Sequence, residues 1–371
     1  MTGDSFRTAR RIVVKTGSAL IAEHGKARTD WLARLAADIS DLRARGKDVI
    51  LVSSGAVALG RVDLGSPTPA RLDQKQAAAA IGQPRLMAAL AGAFASHDIT
   101  VGQALLTLSD TETRRRWLNA RATLETLLDA GIVPVINEND TVATDEIRYG
   151  DNDRLAARVA QMMGADLLVL LSDIDGLYTA DPNTDPQAIH IPVLTELSAQ
   201  HDAMATGANA ATGVGSGGMV TKLAAARIAH AAGCSTIITR GNREHPLRAI
   251  EEGALSTLIV ADTTPARARE VWLMGHLKPE GTILVDAGAA RALQGGASLL
   301  AVGITGVLGG FERGAAVAIK AENSPVIAKG VTSYSSADIL RVIGLQSDEV
   351  EAALGFRGRP AIIHRDDMVR V

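Results

Sequence analysis

The sequence predicts an α/β protein in which helices cover both faces of a mostly parallel sheet, followed by a small β-rich domain. Short apolar runs alternate with longer amphipathic segments over residues 11–260. Several of these runs are continuously apolar, which is typical of strands buried on both faces. After residue 277 the runs become shorter, and turn residues separate them more often. The change in texture predicts two domains.

The apolar runs predict six strands in the first domain because turn residues bound them and several are rich in Val and Ile. These runs cover residues 11–15, 48–52, 100–105, 133–136, 167–171 and 235–239. Amphipathic segments between them predict helices at residues 30–45, 113–130, 154–163 and 221–232, each followed by a glycine. Glycine readily takes the left-handed conformation that closes a helix, so the pattern indicates successive βαβ units.

The second domain is predicted to contain three strands, at residues 282–285, 316–321 and 326–331, and one helix, at residues 287–293. A further helix is predicted at residues 347–354. We expect the first domain at residues 1–262, a linker at 263–276, the β-rich domain at 277–354 and a C-terminal tail at 355–371.

The composition argues against several classes of protein. The chain has 371 residues, 47% of them hydrophobic, which supplies a large core and excludes wholesale disorder. Its net charge of −3 provides no overall basic field for nucleic acid or anionic lipid. The longest apolar stretch, residues 86–95, is too short to span a bilayer, and residues 1–11 are polar. With a single cysteine, Cys234, we expect a cytoplasmic protein without membrane association.

Chemically active side chains follow several predicted strands. Lys15 ends the first strand, and Ser54 lies in the Ser-Ser-Gly turn after the second. The clusters Asn-Glu-Asn-Asp at residues 137–140 and Gly-Asp-Asn-Asp at residues 150–153 lie beside element ends. Open α/β sheets bind ligands at this edge, and amides with carboxylates suit an ammonium-bearing ligand or a lysine that needs orientation. A surface lysine and ordinary helix caps are the simpler interpretations of each position alone.

The glycine-rich segment 213–222 ends in Lys222 and satisfies the G-x-G-x-x-G pattern. A dinucleotide fingerprint should follow a strand, whereas residues 209–212 have the pattern of a loop. The position of Lys222 also departs from Walker A spacing. Backbone N–H groups and this lysine at a helix start favour an anion site, with a mobile surface loop as the alternative.

Taken in order, these segments resemble the amino-acid kinase family. The resemblance rests on residues 14–17, 53–56, 137–140, 150–153, 172–173 and 217–222, and residues 117–121 and 176–182 strengthen it. Residues 277–354 resemble a PUA domain. The resemblance implies a three-layer α/β sandwich with a mostly parallel sheet, plus the small β-rich PUA-like domain.

The pattern is similar to that of family members that phosphorylate free L-glutamate. It implies the reaction of ATP with L-glutamate, with Mg²⁺, to give ADP and L-glutamyl 5-phosphate, the first step of proline biosynthesis. It further implies feedback inhibition by proline, transfer of the product to a glutamyl-phosphate reductase, and a homo-oligomer, either dimer or tetramer.

The resemblance also implies roles for individual residues. Catalytic roles fall on Lys15, Lys222 and Asp153, and glutamate-binding roles on Ser54, Asp140 and Asn152. ATP-binding roles fall on Lys15, Ser172, Asp173, Ser216, Gly217, Gly218, Met219, Val220, Thr221 and Lys222. No protein residue is assigned to the metal.

Three alternatives stay open at this point. Another amino-acid kinase, acting on acetylglutamate, aspartate, carbamate or UMP, would share the phosphoryl-transfer residues. An RNA-binding protein could act through the PUA-like domain, but residues 277–354 carry six Lys and Arg against eight Asp and Glu, which makes RNA an unfavourable partner. An NAD-binding enzyme is the weakest alternative.

Overall fold

The computed structural model divides the chain into two compact units, Met1–Pro265 and Ala266–Val371. The structure describes residues 1–65, 71–143, 151–209, 218–268, 278–322, 324–356 and 358–370, without the side chains of residues 151, 203 and 206–209. The finer limits of 262, 276 and 354 for domains and linker stay predictions.

The described part of the first unit contains twelve strands. They are β1 (Arg11–Thr16), β2 (Ala22–Glu23), β3 (Lys26–Ala27), β4 (Asp48–Ser53), β5 (Val101–Leu106), β6 (Val133–Glu138), β7 (Leu167–Ser172), β8 (Leu177–Tyr178), β9 (His190–Ile191), β10 (Val193–Leu194), β11 (Ser235–Arg240) and β12 (Ser256–Ile259). Eight of them form one sheet in the order β10-β12-β11-β7-β1-β4-β6-β5. The six strands from β11 to β5 are parallel, and β12 pairs antiparallel with β11. The mostly parallel sheet is therefore confirmed.

The described helices of this unit are α1 (Thr2–Thr8), α2 (Ser18–Ile21), α3 (Thr29–Ala44), α4 (Ala56–Gly60), α5 (Leu72–Ala95), α6 (Leu108–Glu112), α7 (Arg114–Asp129), α8 (Asp151–Met163), α9 (Ala199–Asn209), α10 (Met219–Ala231) and α11 (Pro246–Glu251). The sequence pattern does not predict α5, whose alanine-rich surface gives little apolar periodicity. No described helix combines the length and the apolar character needed to cross a membrane.

Two apolar cores lie on opposite faces of the sheet, because successive strand residues point to opposite sides. Ile12 and Val14 of β1 pack with α3 and α5, whereas Val13 packs with α8 and α10. The resulting order of helices, sheet and helices confirms the predicted three-layer sandwich. The same alternation places Lys15 on the face of Val13, toward α8 and α10.

The second unit contains a separate five-stranded sheet in the order β14-β13-β15-β16-β17. Its described strands are β13 (Gly281–Val285), β14 (Ile304–Leu308), β15 (Ala316–Ala321), β16 (Val326–Val331) and β17 (Met368–Arg370). Its described helices include α12 (Ala287–Gln294), α13 (Ser336–Val342) and α14 (Ser347–Leu354). The expectation of a single helix within residues 277–344 is wrong, because α13 starts at a capping box formed by Ser335 and Asp338. β14 was also absent from the predicted strands. Residues 355–371, expected as a tail, contribute β17 to the sheet.

Candidate active site

Two lysines meet one aspartate at the carboxyl edge of the large sheet. Lys15 Nζ lies 2.7 Å from Asp153 Oδ1, and Lys222 Nζ lies 3.7 Å from Asp153 Oδ2. The side chains of Lys15 and Lys222 are only 10% and 6% exposed, and that of Asp153 is fully buried. Three residues that are far apart in the sequence therefore form one buried charged group.

The fold explains why these side chains converge. Lys15 is near the end of β1, which lies between β4 and β7. The chain leaves β1 toward β4 and later returns to β7 on its other side, so β1 marks the switch point at which open α/β sheets bind ligands. Asp153 and Lys222 lie in the first turns of α8 and α10, the two helices that cover the Lys15 face of β1.

Asp153 is ionised although it is buried. Burial alone would raise the pKa of its carboxyl, but Lys15, Lys222 and the Thr221 hydroxyl together lower that pKa below its ordinary value. Burial lowers the pKa of Lys222, and Lys15 lowers it further, while Asp153 raises it. One carboxylate thus lies between two ammonium groups. The trio of Lys15, Asp153 and Lys222 keeps a net positive charge, which favours binding of an anion.

A chain of amide hydrogen bonds lies beside this trio. Asn137 Nδ2 donates to Gln83 Oε1 at 2.8 Å. Asn152 Nδ2 donates to Ser54 Oγ at 2.8 Å and to Asn137 Oδ1 at 3.2 Å. Two of the expected glutamate-binding residues, Ser54 and Asn152, are therefore in direct contact.

One backbone group fixes the orientation of these amides. The N–H of Glu138 donates to Asn137 Oδ1 at 2.9 Å, and this donor cannot exchange roles with an acceptor. Asn137 must therefore present Nδ2 to Gln83 and Oδ1 to Asn152. Because Asn152 donates both hydrogens, its Oδ1 remains as an acceptor, and this atom is buried without a partner among the described residues. Ser54 accepts from Asn152, so its own hydroxyl hydrogen is left to donate.

Asp140 lies in the turn that follows β6, and burial raises the pKa of its carboxyl to about 6. The segment around it is ordered by Asn139, whose carbonyl accepts from the N–H groups of Val142 and Ala143, both at 3.1 Å. Asp140 is thus a partly buried carboxylate that becomes easier to ionise when a cation binds beside it.

The expected nucleotide-binding residues that the structure describes lie at two places, the end of β7 and the start of α10. Ser172, at the end of β7, donates from Oγ to Asp173 Oδ1 at 2.9 Å. Gly218 precedes α10, Met219 is buried and Val220 is 40% exposed. Thr221 Oγ1 lies 2.9 Å from Asp153 Oδ2 and 2.8 Å from the Gly218 carbonyl, so its side chain organises the trio. Ser216 and Gly217 lie outside the residues that the structure describes.

Comparison with known proteins identifies the family. The amino acid kinase family matches residues 10–240, and the PUA domain matches residues 281–354. The chain belongs to the amino acid kinase family. This amino acid kinase is 59% identical to "Glutamate 5-kinase" of Caulobacter vibrioides (strain NA1000 / CB15N), over 98% of this chain and 97% of the relative. It is 57% identical to "Glutamate 5-kinase" of Paramagnetospirillum magneticum (strain ATCC 700264 / AMB-1), over 97% and 98% of the two chains.

Among solved structures, isopentenyl phosphate kinase matches with a TM-score of 0.46 and 17% identity, covering 67% of this chain and 100% of that chain. The comparisons with sequence relatives confirm the predicted family and the PUA domain. They also favour the kinase interpretation over the RNA-binding and NAD-binding alternatives.

Two residues of the amide chain were not among the predicted site residues. Asn137 lies in the cluster 137–140, but its side chain received no role of its own. Gln83 carries no local signal, because it lies within α5 and reaches Asn137 only through the fold. A pattern of polar residues after strands can indicate that Asn137 belongs to the site. The same pattern cannot indicate Gln83.

Proposed function

We propose that this amino acid kinase transfers the γ-phosphoryl group of ATP to the γ-carboxylate of L-glutamate. The observation that carries the proposal is the pair of buried lysines on Asp153 at the switch point of the sheet. The identity of 59% over 98% of the chain to a protein named "Glutamate 5-kinase" supports the choice of substrate.

The acceptor in this reaction needs no general base. A γ-carboxylate has an unperturbed pKa of about 4.3 and is ionised at neutral pH. The barrier lies in bringing this anion to an anionic phosphate, so the protein must position both reactants and neutralise their charge. Buried lysines do both without proton transfer.

Lys15 and Lys222 are proposed to contact the transferring phosphoryl group from two sides. Asp153 holds both ammonium groups in place and stays ionised because its pKa is lowered. Its role is to orient the lysines before the phosphate arrives, which reduces reorganisation during transfer. Loss of one such preorganised donor commonly lowers kcat by about 10²–10³.

The amide chain supports a glutamate pocket of defined polarity. Ser54 would donate its hydroxyl hydrogen to a substrate carboxylate. Asn152 Oδ1, a buried acceptor without a partner among the described residues, would accept from the α-ammonium, with Asp140 as its counter-charge. Donors for a carboxylate and acceptors for an ammonium are the complement of an amino acid.

ATP is proposed to bind through Ser172, Asp173 and residues 216–222, with its phosphates close to the backbone N–H groups of the first turn of α10. Mg²⁺ would neutralise phosphate charge when bound. Within the described residues no group of three or more His, Cys, Asp or Glu side chains could hold a metal ion. In kinase sites Mg²⁺ is commonly bound through substrate phosphates, waters and one or two carboxylates.

Several finer features extend the proposal on the basis of the family resemblance. They are inhibition by proline at or overlapping the glutamate site, a dimeric or tetrameric assembly, a cytoplasmic location and transfer of the labile acyl phosphate to a glutamyl-phosphate reductase. Because an acyl phosphate hydrolyses readily, prompt consumption by a following enzyme would protect it.

ADP release with L-glutamate, acetylglutamate and aspartate, tested side by side, examines the proposal. Hydroxylamine in the assay traps an acyl phosphate as a hydroxamate, which separates phosphoryl transfer from simple ATP hydrolysis. We expect hydroxamate formation with L-glutamate and loss of it in Lys222→Met. ADP release without hydroxamate, or a preference for acetylglutamate or aspartate, would refute the assignment.

A further inference from the structure

Helix α5 contacts the Asp140-bearing segment at two points. Gln83 Oε1 accepts from Asn137 Nδ2 at 2.8 Å at one end of the segment, and Gln76 Nε2 donates to the Ala143 carbonyl at 3.0 Å at the other. The two glutamines are seven residues apart, which places them on one face of the helix. The segment 137–143, with Asp140 at its centre, is thus fastened to α5 at both ends.

Close packing between α4 and α5 fixes the position of these glutamines. A Cβ on Gly82 would overlap the Ala56 carbonyl oxygen, and a Cβ on Gly60 would overlap the Ala78 carbonyl oxygen. Two glycines therefore allow the backbones of the helices to touch. Since α4 begins two residues after Ser54, this contact fixes Gln83 relative to the Ser54 turn.

We infer that Gln83 is a positioning residue for the amino-acid substrate, acting through Asn137. Gln83 Oε1 holds Asn137 Nδ2, while the Glu138 N–H holds Asn137 Oδ1. Asn137 then keeps Asn152 Nδ2 in place and leaves Asn152 Oδ1 as the acceptor for the substrate ammonium. Without Gln83, Asn137 Nδ2 loses its acceptor and the side chain is held only through Oδ1, so the position of Asn152 becomes less well defined.

This inference rests on the proposed function, because it concerns glutamate binding. It predicts that substitution of Gln83 changes the KM for glutamate, whereas substitution of Lys15 or Lys222 mainly lowers kcat. Loss of a hydrogen bond that leaves a buried donor without a partner predicts about a tenfold rise in the glutamate KM. The ATP KM should stay within about twofold, since among the described residues the hydrogen bonds of Gln83 and Asn137 do not reach the proposed nucleotide-binding side chains.

The test uses the 371-residue enzyme and five variants. Gln83→Met keeps the shape of the side chain and removes the acceptor. Gln83→Glu retains an oxygen that can accept from Asn137. Gln103→Met makes the same Gln-to-Met change at an exposed position on β5 and serves as the matched control. Asn137→Ala, alone and combined with Gln83→Met, closes a double-mutant cycle.

We expect Gln83→Met to raise the glutamate KM with a smaller effect on kcat, Gln83→Glu to restore much of the lost affinity, and Gln103→Met to match the wild type. In the Asn137→Ala background, Gln83→Met should cause no further loss. An unchanged glutamate KM in Gln83→Met, or effects that simply add in the double variant, would overturn the inference. A wild-type enzyme that forms no hydroxamate with glutamate would instead refute the proposed function.

Discussion

Replacement of Asp153 by Asn removes the one carboxylate between two buried lysines while nearly preserving its shape. The ion pairs at 2.7 and 3.7 Å are both lost, and the two ammonium groups are left without their shared counter-charge. Breaking a buried ion pair by removing one partner costs about 3–5 kcal/mol. For a domain of this size, each kcal/mol corresponds to roughly 2–4 °C in Tm, so Asp153→Asn should lower Tm by on the order of 10 °C.

The loss of stability in Asp153→Asn should depend on pH, and the direction follows from the pKa of Lys222. Burial and Lys15 already lower the pKa of Lys222, and Asp153 is the main group that raises it. In Asp153→Asn the folded-state pKa of Lys222 should therefore fall further below its unfolded value. The unfolded chain then binds more protons than the folded chain, so the stability of the variant rises with pH relative to the wild type. The Tm deficit should be smaller at pH 9 than at pH 7.

A second substitution separates charge balance from catalysis. In Asp153→Asn/Lys15→Met only one buried ammonium remains, so we expect a substantial part of the Tm to return. Catalysis should stay lost, since Lys15 and its orienting carboxylate are both absent. Calorimetry at the two pH values and ADP release measured on the same preparations test this. A Tm within about 2 °C of the wild type in Asp153→Asn, or no recovery in the double variant, would refute the electrostatic reasoning.

Three further predictions concern neighbouring elements. Lys222→Arg should lower kcat by about 10²-fold, because a planar guanidinium does not replace a compact ammonium, and retained turnover would contradict this. As pH falls through about 6, Asp140 gains a proton and loses its charge, so the glutamate KM of the wild type should rise, whereas Asp140→Asn should show a high KM with no such dependence. Gly82→Ala should lower stability by about 1–3 kcal/mol through overlap with α4, whereas Gly92→Ala, at an open position on α5, should raise it by up to about 1 kcal/mol; equal effects in thermal unfolding would contradict the packing argument.

The sequence predicts the central strands well because their apolar runs and flanking turns are local signals. Residues 11–15 and 167–171 correspond to β1 and β7, each of which extends one residue further in the structure. In contrast, α5 has 24 residues and no predicted counterpart. Many of its alanines are exposed and its contact with α4 depends on glycines, so an apolar stripe does not develop.

The site shows the same division between local and long-range signals. Lys15, Asp153 and Lys222 each stand at an element end, where sequence position alone suggests a ligand-facing side chain. Their convergence on one carboxylate depends on the strand order, which places β1 between β4 and β7. Gln83 depends on a helix–helix contact as well, so neither its position nor its partner could be derived from the pattern around it.

Two neighbouring residues at the start of α8 connect the two halves of the proposed reaction. Asn152 hydrogen-bonds Ser54 and Asn137, on the side of the amide chain, whereas Asp153 contacts Lys15 and Lys222. Adjacent helix residues project about 100° apart, so a single helix end can serve both sides at once. Movement of α8 would shift the amide acceptor and the lysine counter-charge together. In the proposed reaction, fixed placement of this one helix end would align the nucleophile with the phosphate, which is what a reaction without a general base requires.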